Sequence, residues 1–207
     1  MKRWMLASAA LAMLAVPALA DQHEAAPLAT GYKADVTFWM KDAESKLIQL
    51  AEAFPENKYS WKPAKDTRTV SEVFMHVAGA NYGMPMMTGV MPPEAAGIKG
   101  MEDVMAYDKA KTKKADVIMA LKDSFAHMQS AYAAASEGAL DAEVDLMGTK
   151  TTARGIYVLL LSHAHEHLGQ AIAYARSNGV APPWTAVQNA AFAKRMQEMK
   201  SKSAGKE

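Results

Sequence analysis

The sequence has 207 residues, half of them hydrophobic, with 23 basic and 22 acidic side chains and no cysteine. That is enough chain for one domain with a sizeable core. The absence of cysteine excludes disulfides, thiolate metal sites and a cysteine nucleophile, and the balanced charge gives no footprint of a nucleic-acid-binding protein.

In chain order, Met1-Lys2-Arg3 is a positive start, Leu6 to Val16 is an uncharged apolar run, and Ala18-Leu19-Ala20 is a small-x-small cleavage signature. Residues 1–20 therefore read as a secretory signal peptide. The run is too short for a membrane span of about twenty residues. The expected mature protein is periplasmic or secreted, with no stable membrane insertion after cleavage. Losing Lys2 and Arg3 leaves 21 basic against 22 acidic groups, a net charge of about −1.

Residues 21–32 read as a mobile lead-in. From Val36 the apolar residues Met40, Ala43, Leu47, Leu50 and Phe54 keep one face of a helix that Pro55 ends. A second helix is expected from Thr69, where Thr69-Val70-Ser71-Glu72 has the capping-box pattern; it runs through Ala80, and Gly83 and Pro85 weaken it. Residues 88–100, rich in glycine and proline, read as a loop. A third helix carries Ile118, Leu121, Phe125, Met128 and Tyr132 and closes at Glu137-Gly138. Residues 139–150 read as irregular. The fourth helix spans about 152–177, with Asn178-Gly179 as its stop and Pro182-Pro183 beyond it. Tyr157–Leu161 taken alone resembles a strand, but the helical period runs through it. The expected fold is all-α, an antiparallel four-helix bundle over residues 33–185, followed at 186–207 by a short extra helix and a polar tail.

Three of the six histidines fall in "HAHEH", His163 to His167. The inward stripe of the fourth helix is Ile156, Leu160, His163, His167, Gln170 and Tyr174. Residues four apart on a helix lie about 40° apart round its axis, so His163 and His167 can converge on one point, whereas His165 points roughly 200° away from His163. Two inward imidazoles left alone are costly, at about 1–3 kcal/mol for each unpaired buried polar group. A divalent metal removes much of that cost if a facing helix supplies another ligand. His76, at the apolar edge of the second helix, is the natural donor. The competing reading is a set of hydrogen-bonded core histidines. Glu166 is placed to reach the rim of the site and is the candidate catalytic group, against its alternative as a solvated helix charge. Glu72 and Gln170 are candidate partners for the ring N–H groups, Glu72 doubling as a capping residue. His23 and His127 look incidental.

The segments "SWKPAKDTRTVSEVFMHVAGANY" (60–82) and "HAHEHLGQAIAYARSNGVAPP" (163–183) together resemble the DinB-like superfamily. The shared elements are Trp61-x-Pro63, His76 within the second helix, His163-x3-His167-x-Gly169-Gln170, Tyr174 and Gly179-x-x-Pro182-Pro183. Where Leu168 stands here, that family often has arginine. The resemblance implies a four-helix bundle in which His76, His163 and His167 hold a divalent metal ion, zinc or nickel, facing a small-molecule substrate. It also implies a possible homodimer. Family members with known activities include bacillithiol- and mycothiol-dependent transferases and maleylpyruvate isomerase. An ion on three imidazoles with an open position supports hydrolysis, thiolate attack or carbonyl polarisation.

Two other readings stand beside this one. Met84, Met86, Met87 and Met91 offer soft thioethers suited to copper(I), which points to a non-enzymatic metal-handling or stress protein; alternatively they form an apolar wall over the histidines. The basic tail around Lys194, Arg195, Lys200 and Lys202 is either a partner-binding surface or a solvated face.

Overall fold

The computed structural model describes residues 30–204. The expected signal peptide and residues 21–29 of the lead-in lie outside the described residues. The first helix, α1, already begins at Tyr32 and runs to Ala53. Its predicted stripe is buried in full from Val36 to Phe54, and Pro55 follows its cap.

The second helix, α2 (Val70–Met86), starts at the capping box read from the sequence. The Thr69 hydroxyl accepts from the Glu72 amide at 3.2 Å, and the Glu72 carboxylate accepts from the Thr69 amide at 2.7 Å. Two exposed amides are thereby satisfied reciprocally. α2 is buried almost all round. The stretch expected to be a loop contains a 3-10 turn at Glu94–Ala96. It leads into a short helix, α3 (Met101–Ala106), and a further 3-10 turn at Tyr107–Lys109.

The third long helix, α4 (Lys114–Ala134), begins one turn before its predicted stripe and ends before Glu137. Glu137–Leu140 forms a single helical turn, α5, capped by Ser136. The next segment corrects the all-helical expectation. Residues 143–152, read as irregular, form an antiparallel hairpin of β1 (Glu143–Leu146) and β2 (Thr149–Thr152). Its two-residue turn places Met147 at φ 52 and Gly148 at φ 89, the doubly positive geometry of a type I′ hairpin turn. β2 is nearly all exposed, so no apolar alternation marked it.

α6 (Ala153–Ser177) follows directly, its N-terminus capped by the Thr152 hydroxyl on the Gly155 amide. At its end Gly179 has φ 74, and the amides of Gly179 and Val180 bond back to Arg176 and Ala175. That double closure satisfies the last carbonyls and needs glycine at the left-handed position. The final helix, α7 (Thr185–Ala204), has 20 residues and is not the short element expected. Val187, Phe192, Met196 and Met199 along it are exposed.

The molecule is mostly helical. α2 packs on α4 and α6, and α1 packs on the same two, so these four helices close around one core. Phe54, Phe74, Phe125, Leu47, Leu50, Leu121 and Tyr157 fill it. Among the described residues no helix is long and apolar enough to cross a membrane.

Candidate metal centre

α2 carries His76 and α6 carries His163 and His167, and the α2–α6 packing brings the three rings together. One ring nitrogen from each lies within 4.8 Å of the others. The ring centroids are 4.4 to 5.0 Å apart. His76 and His163 meet through Nε2 atoms only 3.1 Å apart.

The outer nitrogens explain which atoms face inward. Asp108 Oδ1 lies 3.0 Å from His76 Nδ1. An ionised carboxylate only accepts, so His76 Nδ1 donates to it, and Nε2 is the nitrogen left facing the cluster. The Gln170 carbonyl oxygen lies 2.8 Å from His167 Nδ1, which orients His167 in the same way. Gln170 is itself anchored: its amide donates to the Tyr174 hydroxyl at 3.3 Å, and that hydroxyl donates to the Arg68 carbonyl at 3.1 Å. The ring of Tyr174 meets Trp61 edge to face. The connector with Trp61 and Arg68 is thus fastened to α6 beside the histidines.

Burial in this corner disfavours the charged forms of His163 and His167. Burial, with the neighbouring His167, His76 and Arg68, pushes His163 down to about 4, against a weaker upward pull from Asp108. Burial also lowers His167, partly offset by the bond to Gln170. Burial alone would raise Asp108, but its bonds to His76 and to Arg68 Nε (2.7 Å) outweigh that and hold it below the usual carboxylate range. Neutral imidazoles with oriented lone pairs are what a divalent metal requires. His163 is the exception in one respect, because its buried Nδ1 has no hydrogen-bond partner among the described residues.

Asp108 reaches His76 because α2 has no side chain where the next segment crosses it. A Cβ on Gly83 would stand 2.6 Å from Val104 Cγ1, and one on Gly79 would stand 3.2 Å from Tyr107 Cβ. These two glycines, one turn apart, let α3 and the Tyr107–Lys109 turn lie close on α2.

A cavity of about 310 Å³ opens beside His76. Arg68 and Asp108 line it with His76; Met84, Met87, Met101, Met105 and Met147 form its apolar walls. A larger cavity of about 870 Å³ lies elsewhere, among Tyr82, Tyr107, His127 and Tyr157. It touches none of the three clustered histidines, so the smaller one is the space next to the converging chemistry.

His76, His163 and His167 therefore come together as the sequence suggested. His165 turns back to donate to the Leu161 carbonyl at 2.9 Å. Glu166 lies on the exposed face and acts on His167 only through its charge. Glu72 is occupied by its capping box, whereas Gln170 does hold a ring N–H. Of the four methionines singled out, Met84 and Met87 wall the site cavity and Met91 lines the larger one. His127 is half-buried against Tyr82, its Nε2 without a partner. Asp108 and Arg68 were missed. They stand 32 and 8 residues from His76, and no local pattern marks either one as its partner.

The sequence profile of the DinB superfamily matches residues 40–171. Among solved structures, a DinB-like protein from Bacillus cereus is similar with a TM-score of 0.61 at 15% identity, over 73% of this chain and 95% of that one. A DinB-like protein from Bacillus subtilis gives 0.55 at 21%, over 70% and 92%. A mycothiol-dependent maleylpyruvate isomerase gives 0.55 at 15%, over 67% of this chain and 60% of the isomerase. At these identities the likeness is one of fold. A search of curated proteins finds no match.

Proposed function

The chain belongs to the DinB superfamily, and from that premise we propose that it is an exported protein holding one divalent metal ion, zinc or nickel, on His76, His163 and His167. Its reaction class is metal-dependent hydrolysis or thiol transfer on a small molecule. The observation that carries the reading is the pair of oriented rings: Asp108 and Gln170 each accept from an Nδ1, and each leaves Nε2 as the nitrogen turned to the cluster. The inner nitrogens of the three rings lie within 4.8 Å of one another, close enough to share one ion. The closed packing of the four long helices supports the antiparallel bundle. Export rests on the residue pattern of 1–20.

A divalent ion held by His76, His163 and His167 would supply a Lewis acid at this site. The chain's own residues do the rest. Asp108 and Gln170 orient the rings, burial disfavours protonation of His163 and His167, and methionines give the adjoining cavity an apolar wall.

The test is metal content by inductively coupled plasma mass spectrometry on residues 21–207, compared with His76→Ala and His163→Ala. Near-stoichiometric zinc or nickel lost in both variants is expected. Absence of metal after reconstitution would leave the histidines as core polar groups.

The ring of methionines favours a second reading, copper(I) handling without catalysis. It requires tight copper(I) binding that Met84→Ala and Met87→Ala weaken together.

A further inference from the structure

Among the described residues, Arg68 is held through one of its five N–H donors. Its Nε bonds Asp108 Oδ2 at 2.7 Å, and its two terminal nitrogens have no protein partner among the described residues. The side chain is 39% exposed and lines the methionine-walled cavity together with His76.

We infer that this cavity binds a small amphipathic carboxylic acid, its carboxylate on the terminal nitrogens of Arg68 and its apolar body among Met84, Met87, Met101 and Met105. Three observations lead there. The first is charge. Both Asp108 oxygens are already taken, by His76 and by Arg68, so Asp108 cannot welcome a cation, while the unfilled guanidinium edge matches a carboxylate through two parallel bonds. Asp108 already balances the guanidinium's charge, so what Arg68 offers a ligand is the pair of terminal donors on its open edge, a match for the two oxygens of a carboxylate. The second is size. At about 30 Å³ for each water-sized volume, a cavity of 310 Å³ takes a ligand on the order of ten non-hydrogen atoms. The third is the wall, built of flexible thioethers that adapt to an unbranched or aromatic body. Met105 and Met147, 78% and 81% exposed, stand at the rim where a ligand would cover them.

The inference deepens the metal-site reading, which would place the acid's carboxylate beside the ion, yet the Arg68 contact needs no ion. The experiment uses hexanoate and hexanamide as probes. Each is titrated calorimetrically into residues 21–207, metal-free and zinc-loaded, with zinc content measured alongside. Hexanoate is expected to bind at least about tenfold more tightly than hexanamide in both forms. Arg68→Gln is expected to erase that preference. Met105→Glu, a change at an exposed rim position that does not endanger folding, should cost both probes the same apolar contact but weaken hexanoate further through the added negative charge. Equal binding of the two probes, no binding of either, or a preference that survives both substitutions would overturn the inference. Zinc bound without any carboxylate preference sinks this inference alone. An Arg68-dependent preference in a protein that takes up no zinc sinks the metal reading and leaves this one standing.

Discussion

Asp108 Oδ1 lies 3.0 Å from His76 Nδ1, across 32 residues of chain, and that contact decides which nitrogen of His76 faces the cluster. A second-layer carboxylate thereby sets the geometry of the whole site. Removing it should loosen the metal without removing a ligand. Asp108→Ala is expected to weaken divalent-metal affinity about 10- to 100-fold, measured by competition with a coloured chelator, whereas His163→Ala abolishes binding. Unchanged affinity in Asp108→Ala would mean the ring is oriented by other means.

The metal-free protein should be acid-sensitive. Burial first, then the neighbouring His167, His76 and Arg68, hold His163 at about 4, and burial lowers His167 and His127 as well. Unfolded histidines titrate near 6.5. Between about 6.5 and 4 the unfolded chain therefore binds more protons than the folded one, and stability falls with falling pH. It is full above pH 6.5, and the His163 contribution is lost by about pH 4. Thermal melts of chelator-treated protein from pH 7.5 to 4 should show a steady drop over that window. A flat profile would show that the imidazoles titrate normally.

Gly83 should matter to the site more than its distance from the ring nitrogens suggests. An added Cβ meets both Val104 methyl groups at under 3.0 Å, and valine is stiff at χ1. Gly83→Ala is expected to push α3 off α2, withdraw Asp108 from His76, and cost on the order of 1–3 kcal/mol. Chemical denaturation and metal titration should both register the change. A variant of normal stability and affinity would show that α3 slides without consequence.

Met147 sits at φ 52 at the tip of the β1–β2 hairpin, a conformation that asparagine or glycine adopts at less cost. Met147→Asn is predicted to stabilise the protein by a few tenths to about 1 kcal/mol. Because Met147 also rims the site cavity, the same change should weaken hexanoate binding. A destabilised variant would show that the methionine contributes packing that outweighs its backbone strain.

What the sequence determined by itself was local. The buried stripe of α1, the Thr69–Glu72 capping box, the Asn178-Gly179 stop and the four-residue spacing of His163 and His167 all follow from the helical period and from backbone groups that need nearby partners. Gln170 was legible for the same reason, one turn from His167. The hairpin was not: its second strand is polar and exposed, so its pairing is fixed by backbone bonds and a Met-Gly turn that advertises itself poorly. Nor was the length of α7, whose apolar residues face outward and mark no core. The apolar wall of Met84 and Met87 was one of the sequence's alternatives, but Asp108, Arg68 and the share of Met101, Met105 and Met147 in the cavity belong to the tertiary structure alone. They converge on His76 because two glycines let α3 cross α2 closely and because Tyr174 ties the connector bearing Arg68 to α6. Such contacts depend on where separate elements come to rest, and no residue's immediate neighbours encode them.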